Sequence, residues 1–348
     1  MRRKTRKIFY GNVAVGGDSQ ITVQSMTNTD TRDINSTVKQ IKELEHEGCD
    51  IIRVSVKDIE SANALKAIKK QINIPLIADI HFDYRLAIET VKNGVDGLRI
   101  NPGNIGSKSR IKEVVKACKD YNVPIRIGVN SGSISKEYIN KFGGVNEDAM
   151  VYSALDHIRI LEDMDFRDIV ISLKSSDVHL TVKAYKKMAE IVDYPFHLGI
   201  TEAGTIWKGT IKSSIGIGAL LLMGIGDTIR VSLTGNPVEE VKVGKQILRS
   251  IGLLKDNVEI ISCPTCGRTE IDLIKLVTEA EKRLKDINKP LKIAIMGCAV
   301  NGPGEAREAD FGIAGGKGNG LIFRKGEIIK KVKESELLDE LIKEINKS

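Results

Sequence analysis

Three cysteines near the C-terminus form the sequence pattern with the clearest capacity for chemistry. Cys263 and Cys266 lie in a C-P-T-C motif directly after the predicted strand VEIIS, and Cys298 follows the predicted strand LKIAIMG. If these two strands are adjacent and parallel, their carboxyl ends bring the three thiols to one edge of a sheet. Three thiolates and one weaker position are typical of a [4Fe–4S] cluster with a reactive iron, since electron-transfer clusters usually have four Cys ligands. The pattern therefore predicts an iron–sulfur cluster that acts on a substrate.

Two alternatives remain open for these cysteines. A closed structural zinc site needs four Cys or His ligands, and the sequence after Val258 contains no His and no fourth Cys. A thioredoxin-like dithiol explains the C-P-T-C motif but leaves Cys298 without a role. The other cysteines, Cys49 and Cys118, stand near the ends of helical patterns and are expected to be buried as small apolar residues.

Polar residues alternate with apolar residues along most of the predicted strands. In GLRINP, Arg99 and Asn101 share one face, and in PIRIGVN, Arg126 and Asn130 share one face. Successive side chains point to opposite faces of a strand, and the apolar face must pack against helices, so the polar face points into the interior. The same alternation places further polar residues on that inner face: Arg53, Ser55, Asp79, His81, Ser172, Lys174, His197, Arg230 and Ser232.

The four Arg and one Lys of this inner face predict an anionic ligand. The two acids at hand, Asp79 and Glu202, cannot neutralise five cations, and a buried unpaired charge costs several kcal/mol. Because Arg binds phosphate oxygens through two parallel N–H bonds, a polyanion that carries phosphates fits best. The alternative is that some of these Arg side chains lie at the amino ends of the strands and pair with carboxylates of the helices.

The elements that must position these residues read as eight strand–helix units followed by a different pattern. Eight units within about 230 residues predict a (β/α)8 barrel of the TIM type, which we assign to residues 1–256. A doubly wound sheet is the alternative. From residue 257 to residue 348, a strand, a long helix, another strand, a hairpin and a closing helix predict a smaller α/β domain that carries the cysteines.

The composition is that of an ordinary soluble protein of 348 residues, with 41% hydrophobic and 28% charged residues. No apolar run approaches the roughly 20 residues that cross a bilayer, and no export signal is apparent, so we expect a cytoplasmic protein without membrane contact. The net charge is +7, but aromatic residues make up only 4%, which leaves few platforms on which nucleic-acid bases can stack. A small acidic ligand is the better explanation of the positive charge.

Several longer motifs resemble one known family. The strings ISCPTCGRTEID and MGCAVNGPGEAREADFGIAGG, together with LRINPGN, IRIGVNSGS and HLGITEAG, are similar to those of the bacterial 4-hydroxy-3-methylbut-2-enyl diphosphate synthases in their compact two-domain form. The resemblance covers nearly the whole chain. It implies reductive ring opening and dehydration of 2-C-methyl-D-erythritol 2,4-cyclodiphosphate in the methylerythritol phosphate route to isoprenoids. The electrons would come from reduced flavodoxin or ferredoxin, and a head-to-tail homodimer would cover each barrel with the partner's cluster domain.

The resemblance also implies roles for individual residues. Glu305, in NGPGEA, matches the family's fourth cluster ligand, and Asn301 matches a residue that approaches the substrate. Glu202 is a candidate proton donor, and the barrel residues that match the substrate site are Arg53, Asp79, His81, Arg99, Asn101, Arg126, Asn130, Lys174, Arg230 and Ser232. Two other functions stay open: an iron–sulfur dehydratase for another phosphorylated substrate, and a zinc-stabilised protein that binds phosphorylated ligands without catalysis.

Overall fold

The chain forms two compact units, Met1–Leu253 and Leu254–Ser348. The computed structural model describes residues 2–287, 289–298 and 307–347, without the side chains of residues 102 and 103. In this part of the chain, no helix has the length and apolar character that crossing a membrane requires.

The first unit is an eight-stranded parallel barrel. It is preceded by an antiparallel hairpin of β1 (Lys7–Tyr10) and β2 (Val13–Gly16). The barrel strands are β3 (Thr22–Met26), β4 (Ile51–Ser55), β5 (Leu76–Asp79), β6 (Gly97–Ile100), β7 (Ile125–Asn130), β8 (Ile169–Lys174), β9 (His197–Leu198) and β10 (Thr228–Ile229). The strands from β3 to β8 pair in chain order, and β10 pairs with both β3 and β9. A parallel bridge between Ile171 and Phe196 joins β8 to the start of β9, so the predicted (β/α)8 barrel is confirmed.

Two strands are shorter than the sequence pattern predicted. The predicted strands 196–201 and 228–234 contain only two residues each in regular pairing, which are the residues of β9 and β10. After these pairs the chain leaves the regular ladder, and Thr205 and Thr234 form an isolated bridge further along. The polar alternation continues beyond the ladder, which is why the sequence pattern extends further than the regular strand.

The helices begin at capping residues that follow the strands. They are α1 (Ile34–His46), α2 (Ile59–Lys69), α3 (Tyr84–Lys92), α4 (Pro102–Ile105), α5 (Lys108–Tyr121), α6 (Lys136–Lys141), α7 (Glu147–Glu162), α8 (Val178–Ala189), α9 (Ile206–Leu222) and α10 (Pro237–Ser250). Six of them have an Asp or Asn whose side chain accepts a bond from a backbone amide of the first turn, which fixes where the helix starts. These caps are Asp33, Asp58, Asp83, Asn146, Asp177 and Asn236.

The N-terminal hairpin covers the amino end of the barrel. Tyr10 and Val15 of the hairpin belong to one buried cluster with Ile51 and Ile77, which lie at the beginning of strands β4 and β5. A Cβ atom at Gly97 would lie 2.4 Å from Cε1 of Tyr10, so glycine at this position makes room for the ring. Because this end is filled with apolar side chains, the polar side chains collect toward the carboxyl ends of the strands.

In the part of the second unit that the structure describes, a five-stranded sheet carries two helices on one face. Its strands are β11 (Glu259–Ser262), β12 (Lys292–Met296), β13 (Phe311–Gly316), β14 (Asn319–Arg324) and β15 (Glu327–Lys333), and its helices are α11 (Leu273–Leu284) and α12 (Leu337–Asn346). The strands pair in chain order, with β11, β12 and β13 parallel and the last two pairings antiparallel. Buried residues of both helices, such as Leu284 and Leu341, pack with Ile295 and Ile313 in one core.

Candidate functional site

Five cationic side chains occupy the interior of the barrel. Arg53, Arg99, Arg126 and Lys174 come from strands β4, β6, β7 and β8, and Arg230 directly follows β10. None of them exposes more than 15% of its surface. Burial, strengthened by the other cations, lowers the pKa of Arg53 and Lys174 well below the usual values and that of Arg126 to about 10. The interior therefore holds cations whose charged forms are destabilised by burial and by mutual repulsion.

Asp79 is one of two buried acids that face these cations. Its Oδ1 lies 3.1 Å from Nη1 of Arg99, and its Oδ2 lies 3.6 Å from Nε of Arg53. Burial opposes ionisation of Asp79, but the charges of Arg53 and Arg99 outweigh it and lower the pKa of this carboxyl to about 2. His81, which is half exposed, places Nε2 3.7 Å from Oδ1 of the same carboxylate. Asp79 is therefore ionised and shared between two Arg side chains.

Two interior residues were missed by sequence reasoning. Glu240, in the first turn of α10, lies 3.3 Å from Arg230, and Gln24 of β3 accepts a 2.5 Å bond from Nη1 of Arg126. Acids are common in the first turn of any helix, so nothing in the sequence marks Glu240 as an interior residue. Gln24 does lie on a strand where polar and apolar residues alternate, and its place on the inward face was the one sequence signal for an interior role.

Two glycines make space for the cationic side chains. A Cβ atom at Gly128 would lie 2.6 Å from Nε of Arg99, and one at Gly199 would lie 2.6 Å from the backbone oxygen of Arg230 and 2.7 Å from Nζ of Lys174. Any larger residue at either position would push the neighbouring cation out of its place. The polar faces of β7 and of the chain after β9 are therefore shaped around Arg99 and Lys174.

The charges of the interior do not balance. Among the residues that the structure describes, five cations face two acids, Asp79 and Glu240, and five minus two leaves a net charge of +3. Among the described residues, Nε and Nη2 of Arg126 are buried without a hydrogen-bond partner, and so are both ring nitrogens of His197. Burial lowers the pKa of His197 well below its usual value, so this ring is neutral. Buried donors that lack partners and a surplus of positive charge fit an anion with several oxygen atoms.

The other predicted barrel residues lie near the carboxyl ends of the strands. Asn101 follows β6 and places Nδ2 3.4 Å from Oγ of Ser133, and Asn130 ends β7. Ser232 is half-buried in the segment after β10. Glu202 is exposed in the segment after β9 and has a φ of +52°, a left-handed conformation that is strained for a residue with a side chain.

The cysteines of the second unit gather at the carboxyl ends of two strands. As the spacing predicted, β11 and β12 are adjacent and parallel, so Cys263 and Cys298 follow strands that end at the same edge. The backbone amide of Gly297 donates to Sγ of Cys263 over 3.2 Å. Cys266 is exposed, and hydrogen bonds from the backbone and side chain of Arg268 lower the pKa of its thiol. A hydrogen bond from a backbone amide to sulfur and a lowered thiol pKa both favour the thiolate form that binds metals.

This edge offers the donor chemistry of a soft metal, although the thiols do not converge on a point. Within the described ranges, no three Cys, His, Asp or Glu side chains lie close enough together to hold a metal ion. Asn301 and Glu305 lie outside the described residues. Three thiols lie at one sheet edge, and one of them accepts a hydrogen bond from a backbone amide. Such a set of donors suits iron or zinc better than magnesium or calcium. Cys49 is buried with a pKa raised to about 12, and burial also raises the pKa of Cys118, as expected for structural residues.

Two family models match the chain. The GcpE TIM-barrel domain matches residues 5–245, and the GcpE protein C-terminal domain matches residues 259–347. Among curated proteins, a relative from Caldanaerobacter subterraneus is 65% identical over 347 residues and covers 100% of this chain and 98% of its own. A relative from Clostridium perfringens is 64% identical over 342 residues, with 98% of each chain covered. Both are named 4-hydroxy-3-methylbut-2-en-1-yl diphosphate synthase (flavodoxin).

Solved structures of low identity share the fold. The N-acetylneuraminic acid synthetase of Leptospira borgpetersenii is 12% identical with a TM-score of 0.52, and the similarity covers 82% of this chain and 100% of that one. The 3-dehydroquinate dehydratase of Geobacillus kaustophilus is 14% identical with a TM-score of 0.51, over 72% of this chain and 100% of that one. These similarities concern the fold alone.

Proposed function

Because this chain belongs to the GcpE family of 4-hydroxy-3-methylbut-2-en-1-yl diphosphate synthases, we propose that it converts 2-C-methyl-D-erythritol 2,4-cyclodiphosphate to 4-hydroxy-3-methylbut-2-enyl diphosphate. The reaction opens the ring reductively: two electrons and two protons enter, and one water leaves. The observation that carries the proposal is the surplus positive charge of the barrel interior, which suits a diphosphate. A dehydratase for another phosphorylated substrate is not favoured, because the relatives are named for the synthase.

The barrel residues would bind and orient the substrate. Arg126 and Lys174 have no acidic partner among the described residues, so they are the first candidates to contact phosphate oxygens. Arg53 and Arg99 share Asp79, and Arg230 pairs with Glu240. These three side chains would complete the contacts to the substrate. Asn101, Asn130 and Ser232, which lie nearer the opening, offer uncharged donors for the remaining oxygens. Asp79 would hold Arg53 and Arg99 in place, and His81, which lies beside Asp79, would contact the substrate at the same end.

The cysteine edge would hold the cofactor. We assign Cys263, Cys266 and Cys298, with Glu305, as ligands of a [4Fe–4S] cluster, because thiolates suit iron and the amide of Gly297 already donates to one sulfur. A bound cluster would supply electrons and an iron that can act as a Lewis acid. Asn301, from the same motif, would approach the substrate. The name of the relatives points to reduced flavodoxin as the electron donor, and ferredoxin is the alternative donor.

Glu202 would supply a proton. It lies in the segment after β9 at the carboxyl end of the barrel, and its left-handed backbone holds the side chain in an exposed position. An exposed carboxyl exchanges protons with water quickly, which suits a group that must be protonated again in every cycle.

We also propose that the protein works as a head-to-tail homodimer. Helix α9 carries an exposed apolar stripe of four side chains, which we call the α9 stripe: Trp207, Ile211, Ile215 and Leu222 expose 76%, 44%, 58% and 73% of their surfaces. Large exposed apolar patches mark association surfaces in soluble proteins. The stripe supports self-association, and a dimer gives each barrel a second cluster domain to meet.

Anaerobic purification followed by turnover tests the proposed reaction. We expect about four irons and four sulfides per chain, and product formation from the cyclodiphosphate with a strong reductant. The variant Cys298→Ser should lose both iron and activity. A colourless protein that contains zinc and binds the cyclodiphosphate without turnover would instead establish a binding protein, and full activity of Cys298→Ser would disprove the role of the cysteines.

Mixing two inactive variants tests the dimer. One chain carries Arg126→Gln and keeps its cysteines, and the other carries Cys298→Ser and keeps its barrel. If each active site combines a barrel with the partner's cluster domain, an equal mixture that exchanges subunits should recover about a quarter of the wild-type activity. If each chain is complete by itself, the mixture should stay inactive.

A further inference from the structure

Glu240 is an acid buried beneath the segment that follows β10. It lies in the first turn of α10, and only 5% of its side chain is exposed. Its Oε2 lies 3.3 Å from both Nε and Nη2 of Arg230 and also accepts a 3.1 Å bond from Oγ of Ser25. Its Oε1 accepts a 3.0 Å bond from the backbone amide of Leu233. One carboxylate therefore connects helix α10, strand β3 and the segment after β10.

The arrangement of these bonds leaves part of Arg230 for a ligand. The bonds to Glu240 use Nε and Nη2, so the Nη1 group is the part of the guanidinium that the carboxylate does not engage. The same carboxylate accepts a hydrogen bond from the amide of Leu233, and this bond also restrains the position of the neighbouring Ser232 relative to Arg230. Arg and Lys side chains lose much rotamer freedom when they bind a ligand, so a side chain fixed beforehand binds more tightly.

We infer that Glu240 is a positioning residue, which orients Arg230 and the segment after β10 so that they grip a phosphate group of the substrate. This inference rests on the proposed function, because it concerns the same anion site. Charge alone leads to the opposite expectation: without Glu240 the interior charge would rise from +3 to +4, as five cations would face one acid. A mere surplus of charge would then bind anions more tightly, whereas loss of positioning would weaken the binding.

Binding of inorganic pyrophosphate to the full-length protein separates the two expectations. We expect Glu240→Gln to weaken pyrophosphate binding about tenfold, which corresponds to the loss of a bond to a charged group. Glu240→Asp keeps the net charge but shortens the carboxylate by one methylene, and it should weaken binding several-fold. The matched control is Glu239→Gln on the same helical turn, where the carboxylate pairs with Lys242 over 2.9 Å, and it should bind as the wild type does. Wild-type or tighter binding by Glu240→Asp would overturn the inference, even if Glu240→Gln does not fold.

A double variant distinguishes positioning from a general loss of stability. If Glu240 acts mainly through Arg230, the loss of pyrophosphate binding caused by Glu240→Asp should be clearly smaller in the Arg230→Gln background than in the wild type. Additive losses would overturn the inference. With the cyclodiphosphate as substrate, KM should rise more than kcat falls. If the wild type itself binds no pyrophosphate and no cyclodiphosphate, the proposed function fails, and this outcome is separate from a wild type that binds and a Glu240→Asp variant that binds equally well.

Discussion

Lys174 extends a charged group into an interior where the described residues offer it no acid. Its pKa lies well below the usual value because of burial and because of the cations around it, chiefly Arg126 and Arg53. A residue that the fold alone selected would be apolar here. Asp79 is the counterpart, an acid whose ionised form is held by Arg53 and Arg99. At the scale of single residues, the interior therefore carries charges that lower the stability of the ligand-free protein, as the proposed anion site requires.

Replacing Lys174 with methionine should abolish anion binding and raise the stability of the ligand-free protein. Lys174→Met keeps most of the side-chain volume and removes a buried charge, so we expect the free energy of unfolding of the ligand-free protein to rise by about 1–3 kcal/mol. Pyrophosphate binding should become too weak to measure. Denaturant unfolding and calorimetry check both results, and Lys116→Met, an exposed position on α5, is the control that should change neither. A loss of stability in Lys174→Met would contradict the electrostatic account.

Replacing Asp79 with asparagine should lower stability in a manner that depends on pH. The pKa of Asp79 is lowered to about 2 in the folded protein, so its contribution is present above about pH 4 and is lost as the pH falls toward 2. We expect Asp79→Asn to reduce the free energy of unfolding at pH 7 by about 2 kcal/mol or more. The difference from the wild type should narrow between pH 4 and pH 2 in urea titrations. Asp156→Asn, at a carboxyl that is 46% exposed, should show no such difference.

The elements act on the site through close packing. Strand β7 carries Arg126 and also Gly128, where the absence of a side chain lets Arg99 cross from the neighbouring strand. The hairpin of β1 and β2 fills the amino end of the barrel with apolar side chains. The helix caps fix where each helix begins, and hence the length of each loop around the opening. The strands therefore determine which charges meet, and the loops determine what can reach them.

An alanine at Gly128 should disturb the site more than the fold. The added methyl group would meet Nε of Arg99 at 2.6 Å, so Arg99 must move away from Asp79. We expect KM for the cyclodiphosphate to rise at least tenfold with a small change in melting temperature. Gly218→Ala is the matched control: Gly218 lies in α9 with no atom within 4 Å of the added position. This control should leave KM unchanged and should stabilise the helix by up to about 1 kcal/mol. An unchanged KM in Gly128→Ala would contradict the packing account.

The sequence predicted the parts of this architecture that depend on local periodicity. Alternation within a strand shows that Arg99 and Arg126 point inward, and the strand–helix repeat indicates a closed barrel. It does not show that Glu240 reaches Arg230, because that contact depends on how α10 packs on β3 and β10. Gln24 was missed for a different reason, since a single uncharged amide on a strand carries no electrostatic signal. The predicted roles of Asn301 and Glu305 fall outside the described residues and remain predictions.

At the scale of the whole molecule, the chain divides its chemistry between two units that each have a core of their own. The barrel unit gathers cations, and the sheet unit gathers thiols at one edge. The boundary between the compact units lies at Leu253, close to the predicted boundary after residue 256. The proposed reaction uses both centres, and under the proposed head-to-tail homodimer the barrel of one chain would meet the cysteine edge of its partner. The α9 stripe is the surface that we expect to hold such an assembly together.

Charged residues on the α9 stripe should separate the subunits. We expect Trp207→Lys combined with Leu222→Lys to convert the dimer to a monomer in sedimentation velocity and to reduce turnover without a loss of iron. Ile328→Lys, at a position on β15 that is 57% exposed, is the control and should remain dimeric. Trp207 is the single tryptophan of the chain, so a shift of its emission on dilution of the wild type reports dissociation directly. A double variant that stays dimeric would show that another surface joins the subunits.

The surplus charge of the barrel interior has a consequence for every binding measurement. We expect an interior with a net charge of +3 to take up a small counter-ion, such as phosphate or sulfate, from salt solution. Substrate then binds by displacing that ion, and the measured affinity is an exchange constant rather than a simple association constant. The apparent affinity for the substrate should fall in proportion to the concentration of phosphate in the buffer. In a cell, the phosphate pool would set the substrate concentration at which the enzyme begins to turn over.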